Sequence, residues 1–179
     1  MRKRFILGVL AGLMAVLVGA ALIAPLVMKL GIVPVNADRR PPAWEARLLG
    51  MAVHTSVARR AEERPNPLPP TEENLVAGAE IYMRMCAKRH GRPNGGPSIY
   101  GASFYPPAPQ LAAHPPQYTE AELFWIVKHG IRNTAMPTWG GQLSDEDIWQ
   151  VVAILKRLDS LPPAVTAEWK KERHGSVDQ

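Results

Sequence analysis

Met85-Cys86-Ala87-Lys88-Arg89-His90-Gly91 holds the single cysteine of the 179-residue chain, four residues ahead of a histidine. Residues four apart share a helix face, so thiol and imidazole stand one turn from each other if this stretch is helical. The segment in front supports a helix. Thr71 is an N-cap residue, Glu72 and Glu73 suit the positive helix end, and Leu75, Ala79, Tyr82 and Cys86 recur at helical spacing. The face carrying the thiol is therefore expected to be the buried face. Behind His90 the chain turns polar and loose, with Gly91, Pro93, Asn94, Gly95, Gly96 and Pro97 spelling a loop.

Two further helices follow downstream. Thr119-Glu120-Ala121-Glu122 is a capping box, and the helix it opens should run to about His129 with Gly130 as its C-cap. Leu123, Ile126 and Val127 form its apolar face. Ser144 caps the last helix, and Asp145, Glu146 and Asp147 load its positive end. Ile148, Val151, Val152, Leu155 and Leu158 give it an apolar stripe, and Leu161-Pro162-Pro163 is read as its stop. Between the two lies an irregular Met136-Pro137 segment, flanked by Asn133 and Thr134 and by Trp139, Gly140 and Gly141. The domain is predicted to be all-α.

Cys86-Ala87-Lys88-Arg89-His90 resembles the c-type haem attachment motif C-x-x-C-H, with Arg89 in place of the second cysteine. Around it, in order, stand Gly-Ala-Glu-Ile-Tyr at 78–82, Tyr-Pro-Pro-Ala-Pro-Gln-Leu at 105–111, Asn-Thr-Ala-Met-Pro-Thr-Trp at 133–139 and Leu-Ser-Asp-Glu-Asp-Ile-Trp-Gln-Val-Val-Ala-Ile-Leu at 143–155. From about Thr71 to Pro163 the chain resembles a class I cytochrome c. The resemblance implies an all-α class I cytochrome c domain, three to five short helices around a haem. It implies a thioether from Cys86, an axial imidazole from His90 and an axial thioether sulfur from Met136, so the metal ligands are His90 and Met136. It further implies that the Pro109 carbonyl accepts the Nδ1–H of His90 and that Leu111 lies against the porphyrin. Gly78 and Tyr82 should meet Val151 and Ile154 on the last helix. Met83 and Met85 are read as packing or surface residues, and His54, His114 and His129 as non-ligands.

Arg89 leaves three states open. Cys86 alone makes a single thioether, haem is held by coordination and packing only, or the haem is lost. A guanidinium against apolar porphyrin is costly unless its head reaches water or a carboxylate. The first state is the expectation: haem with one thioether through Cys86.

The formal charge of +5 is unevenly placed. Residues 1–70 hold ten Lys/Arg against four Asp/Glu, and residues 71–163 hold eight against nine. The basic excess thus lies outside the domain, which argues against nucleic-acid binding. Arg2, Lys3 and Arg4 precede Phe5–Met28, 24 residues without a charge. A bilayer core needs about 20 apolar residues as a helix, whereas a signal-peptide core runs about 7–15. The preferred reading is a single-pass anchor with its basic start in the cytoplasm and the domain on the periplasmic side of a bacterial inner membrane. A long signal peptide cleaved near Val35-Asn36-Ala37-Asp38 stays open.

The expected organisation is an N-terminal transmembrane anchor or signal at 1–35, a Pro-rich linker with a short helix at 36–70, the cytochrome c domain at 71–163 and a polar tail at 164–179. In the linker, Trp44, Leu48, Met51 and Ala58 approximate one face of a helix from Trp44 to Arg60, interrupted by Thr55. It is read as a spacer against the domain or the membrane surface. The tail, with Trp169, Lys170, Lys171 and Glu172, is read as solvated. No nucleophile with its base, no paired carboxylates and no phosphate loop is evident, so the expectation is an electron carrier and not an enzyme. Its partners would be redox proteins of a respiratory chain, and the membrane. The alternatives are a haem-free anchored interaction module and a haem-based ligand sensor in which Met136 is displaced by a gas.

Overall fold

The computed structural model describes residues 2–93 and 96–171. Asn94 and Gly95 of the expected loop, Glu172 of the expected tail and the side chains of Trp169, Lys170 and Lys171 lie outside the described residues. The described residues form helices and loops without strands. The chain divides into two units between Asn36 and Ala37.

The first unit is helix α1, Arg2–Lys29, apolar on all sides and with no buried residue. At 1.5 Å per residue its 28 residues exceed the roughly 30 Å of a bilayer's hydrocarbon core. Length and composition thus allow it to cross a membrane.

The second unit is built around two crossed helices. Helix α3, Glu72–Ile81, runs through a π-helical turn at Tyr82–Cys86 into α4, Ala87–His90. Across it packs α7, Asp145–Leu155. Gly78 makes the crossing close: a Cβ there would meet the Gln150 carbonyl, with Ile154 Cγ1 3.1 Å away. Tyr82, Ile148, Val151, Val152 and Ile154 are fully buried at this crossing. Helix α6, Glu120–His129, packs on α7, and the four-residue α5, Ile99–Ala102, on α4.

The expected caps form. Thr71 accepts from the Asn74 N–H, and Thr119 and Ser144 each close a reciprocal capping box, with Glu122 and with Asp147. Asp147 therefore does more than load the helix end, because its carboxylate also accepts from the Ser144 N–H and hydroxyl at 2.9 and 2.7 Å.

Three features depart from expectation. The π turn admits one extra residue and rotates the chain behind it, so the buried positions become Met83, Ala87 and His90, while Cys86 is only half-buried. The thiol therefore lies beside the core face and not at its centre. Secondly, Pro163 starts a helix instead of ending one. Proline is tolerated in a first helical turn, and α8, Pro163–Lys171, lies against α3 with Val165 fully buried. The segment read as a solvated tail thus contributes to the core.

The third departure is the face by which the linker helix docks. Helix α2, Ala43–Arg60, docks on the domain through Val57, half-buried Val53 and Ser56, and the His54 ring stacked on Tyr118 at 4.4 Å. The Tyr105 hydroxyl donates to Glu45 at 3.0 Å. The apolar stripe read from the sequence points the other way. Behind α2 the second linker is also fastened: the Asn66 N–H donates to Glu120, its amide donates to the Trp149 carbonyl, and the Arg64 guanidinium lies 4.8 Å from the Phe124 ring centre.

Candidate cofactor site

His90 closes α4 and is 9% exposed. Its Nδ1 lies 2.9 Å from the Pro109 carbonyl oxygen. A carbonyl can only accept, so Nδ1 carries the proton and Nε2 keeps its lone pair. Burial holds this imidazole below its ordinary pKa; the Pro109 bond pulls the other way, and the charge of Arg89 adds to the lowering. The ring is thus neutral and single in tautomer.

The backbone under His90 is held as firmly as the ring. The last carbonyls of a helix lack partners inside it. Here four consecutive ones are each given a donor from elsewhere in the fold. The Lys88 carbonyl accepts from the Ser98 hydroxyl, that of Arg89 from the Gln110 amide at 3.2 Å, that of His90 from the Leu111 N–H at 3.1 Å, and that of Gly91 from the Tyr82 hydroxyl at 2.9 Å. Gln110 also accepts from the Ser98 N–H at 2.6 Å, tying the two loop strands to each other. Burial pushes the Tyr82 phenol well above its ordinary pKa, so it remains a donor. Gly101 passes so close to the Arg89 carbonyl that no side chain fits between them. Sequence reading gives Pro109 and Leu111 but misses Ser98, Gln110 and this use of Tyr82. The available signal was a lone amide side chain inside the apolar run from Pro106 to Leu111.

Met136 is half-buried and packs against the core, as do Cys86 and Leu111. Its loop is stitched to the open end of α6. The Gly130 N–H donates to Ile126, the Trp139 N–H to Val127, and the Gly140 N–H and Thr138 hydroxyl to Lys128. Within the loop, the Ile131 N–H donates to the Met136 carbonyl at 3.0 Å and the Met136 N–H to the Thr134 hydroxyl at 3.1 Å. Gly130 has φ +68°, and a Cβ there would lie 2.7 Å from the Met136 oxygen. Expected only as a helix cap, it is also what lets the Met136 loop close onto α6.

Cys86 ends the π turn, and burial pushes its thiol up to about 12 against the opposing charge of Arg89. Arg89 is half-buried; its guanidinium carbon lies 5.9 Å from the Trp139 ring centre, and it donates to the Met85 carbonyl at 3.4 Å. The head thus finds a protein partner on the Met136 loop. His54 stacks on Tyr118, His114 is exposed, and exposed His129 lies beside Trp125. Met83 is buried and Met85 half-buried.

These residues fit a haem. They offer a neutral imidazole with a free Nε2 lone pair, a soft thioether on an anchored loop, a thiol one turn before the imidazole, and Leu111 against the same core. Among the described residues no cluster of three or more His, Cys, Asp or Glu forms a site for a bare metal ion.

The described residues are all-helical, and by its match to a family model the second unit holds a cytochrome c domain. Residues 73–155 match the family model described as Cytochrome C oxidase, cbb3-type, subunit III. No curated protein matches the chain. A chain of the Kuenenia stuttgartiensis reducing HAO-like protein complex Kustc0457/Kustc0458 is similar, at 22% identity over 57% of this chain and 54% of that one, with a TM-score of 0.40. The protein spans about half the length of that chain.

Proposed function

We propose that the protein is a haem-binding electron carrier, held by α1 on the periplasmic face of a bacterial inner membrane and exchanging electrons with redox proteins of a respiratory chain. Cys86 would hold the haem through one thioether, and His90 and Met136 would ligate its iron. The observation that carries this reading is the 2.9 Å bond between His90 Nδ1 and the Pro109 carbonyl, which fixes the ring and leaves Nε2 free to ligate. When bound, the haem supplies a one-electron iron couple whose potential His/Met ligation raises.

The chain's own residues do the rest. The Pro109 carbonyl orients His90 and raises its basicity as a ligand. Leu111 and Met136, packed against the core, would keep water from the bound group. The clamp on residues 88–91 holds the imidazole still, so a change of charge at the site meets little rearrangement.

Arg89 favours a second reading, a haem-free anchored interaction module. Its guanidinium already has the Trp139 ring and the Met85 carbonyl for company, so the position of the second thiol is filled without a cofactor.

The full chain, expressed in a host with c-type assembly, separates the two on a denaturing gel stained for haem, read together with a reduced pyridine haemochrome spectrum. Haem that stays on the denatured band, with the spectrum of one unreacted vinyl, is the expected result. Haem bound natively but stripped on the gel keeps the carrier and removes the thioether. No haem in the parent, with Arg89→Cys restoring it, would overturn the carrier reading for this chain.

A further inference from the structure

Helix α2 has two faces of unequal fate. The face with Glu45, Val53, Ser56 and Val57 is docked on the domain. On the opposite face Trp44, Leu48 and Met51 are 67%, 53% and 62% exposed, and no part of the described chain covers them. At helical spacing these three form one stripe with Ala58, and Arg47 and Arg59 flank it. Arg39 and Arg40 stand just ahead of the helix and Arg60 at its end. Residues 38–60 thus hold five Arg against Asp38 and Glu45, and the Glu45 carboxylate is occupied by the Tyr105 hydroxyl. A docked domain face explains why the helix folds. It does not explain why the outer face is apolar with a basic border.

The geometry points to this outer face as a lipid-contact surface, lying in the interface of an anionic membrane with Trp44, Leu48 and Met51 among the upper acyl chains. Three properties select lipid over a protein partner. The border is arginine, which attracts anionic headgroups. The stripe opens with a Trp, whose ring favours the boundary between headgroup and acyl chain. And the face belongs to the first helix after α1, which ends at Lys29 shortly before α2 opens at Ala43. The inference rests on α1 acting as an anchor. It adds a second contact that would turn one defined side of the domain towards the membrane.

Nitroxide labels on the full chain in phosphatidylcholine–phosphatidylglycerol vesicles test it, read as collision with oxygen, which concentrates in lipid, and with a water-soluble nickel chelate. The probes are Met51→Cys on the stripe, Glu146→Cys at the exposed start of α7 and Leu17→Cys within α1. The unsubstituted chain gives the background from Cys86. The expected oxygen-to-nickel ratio is several-fold higher at 51 than at 146. It should fall several-fold when Leu48→Glu is added, and also when phosphatidylglycerol is omitted. A label at 51 as water-accessible as that at 146, with 17 still in lipid, overturns the inference and leaves the anchor standing. Water access at 17 removes the anchor and the inference with it. A label at 51 screened from both reagents means that protein covers the stripe, which overturns the lipid assignment in favour of a partner or a second copy.

Discussion

Tyr82 is the residue through which core and site are most directly joined. Its ring is fully buried at the α3–α7 crossing and its hydroxyl holds the Gly91 carbonyl. Tyr82→Phe keeps the ring and strips one buried acceptor of its donor, so a loss of about 1–3 kcal/mol is expected in urea unfolding. At Met136 the expected readout is spectral. If its sulfur ligates the iron, carbon monoxide should leave the reduced spectrum of the parent nearly unchanged; Met136→Ala would open that position, and the Soret band should shift on adding the gas. A parent that shifts as fully as the variant would argue for the sensor reading. At this scale much was legible. Cys86 and His90 stand out by their spacing, Pro109 and Leu111 were implied by the family resemblance, and the His90–Pro109 bond forms as that resemblance implied. Ser98 and Gln110 could not be named, because their acceptors lie 10 and 21 residues away and only the folded loop brings them close.

Helix ends decide the element scale. Gly130 must take φ +68° with the Met136–Pro137 peptide pressed against it, so Gly130→Ala should cost about 2 kcal/mol or more in thermal or urea unfolding. Because the displaced loop carries Met136, the same variant should also bind carbon monoxide more readily than the parent. Ser144→Ala removes a capping box and is expected to cost about 1 kcal/mol near neutral pH. The Ser144 hydroxyl, then the Ser144 N–H, hold the Asp147 carboxyl below its ordinary pKa, with Arg84 contributing and burial opposing. A carboxyl lowered on folding stabilises above its unfolded pKa, and that stability is lost as pH falls through the folded value. The gap between parent and Ser144→Ala should therefore narrow from neutral pH to about pH 3, below the ordinary aspartate pKa. A gap that widens on acidification would mean that the cap is not what the box suggests. Caps were readable because they are chemistry at fixed offsets. The π turn at 82–86 was not, since an inserted residue leaves no period of its own, and α8 was missed because one buried valine makes no pattern.

At the scale of the whole molecule, the segment that opens the second unit is decided by contacts far along the chain. Residues 36–70 read as a Pro-rich linker whose helix lies against the domain or the membrane surface; Val57, His54, Arg64 and Asn66 fasten it to the domain. The sequence could not show this, because docking depends on Tyr118, Phe124, Glu120 and Trp149, all more than fifty residues downstream. Between α1 and the first docked helix lie only residues 30–42. Thirteen residues reach at most about 45 Å, whereas the stretch from 30 to 70 with its helix kept but undocked would reach about 110 Å. If α1 anchors the chain, the shorter connection would raise the domain's local concentration at the membrane surface, because effective concentration falls with linker length. Such a carrier would meet partners embedded in the same bilayer far more often than partners dissolved beyond it, and its encounters would be paced by lateral diffusion.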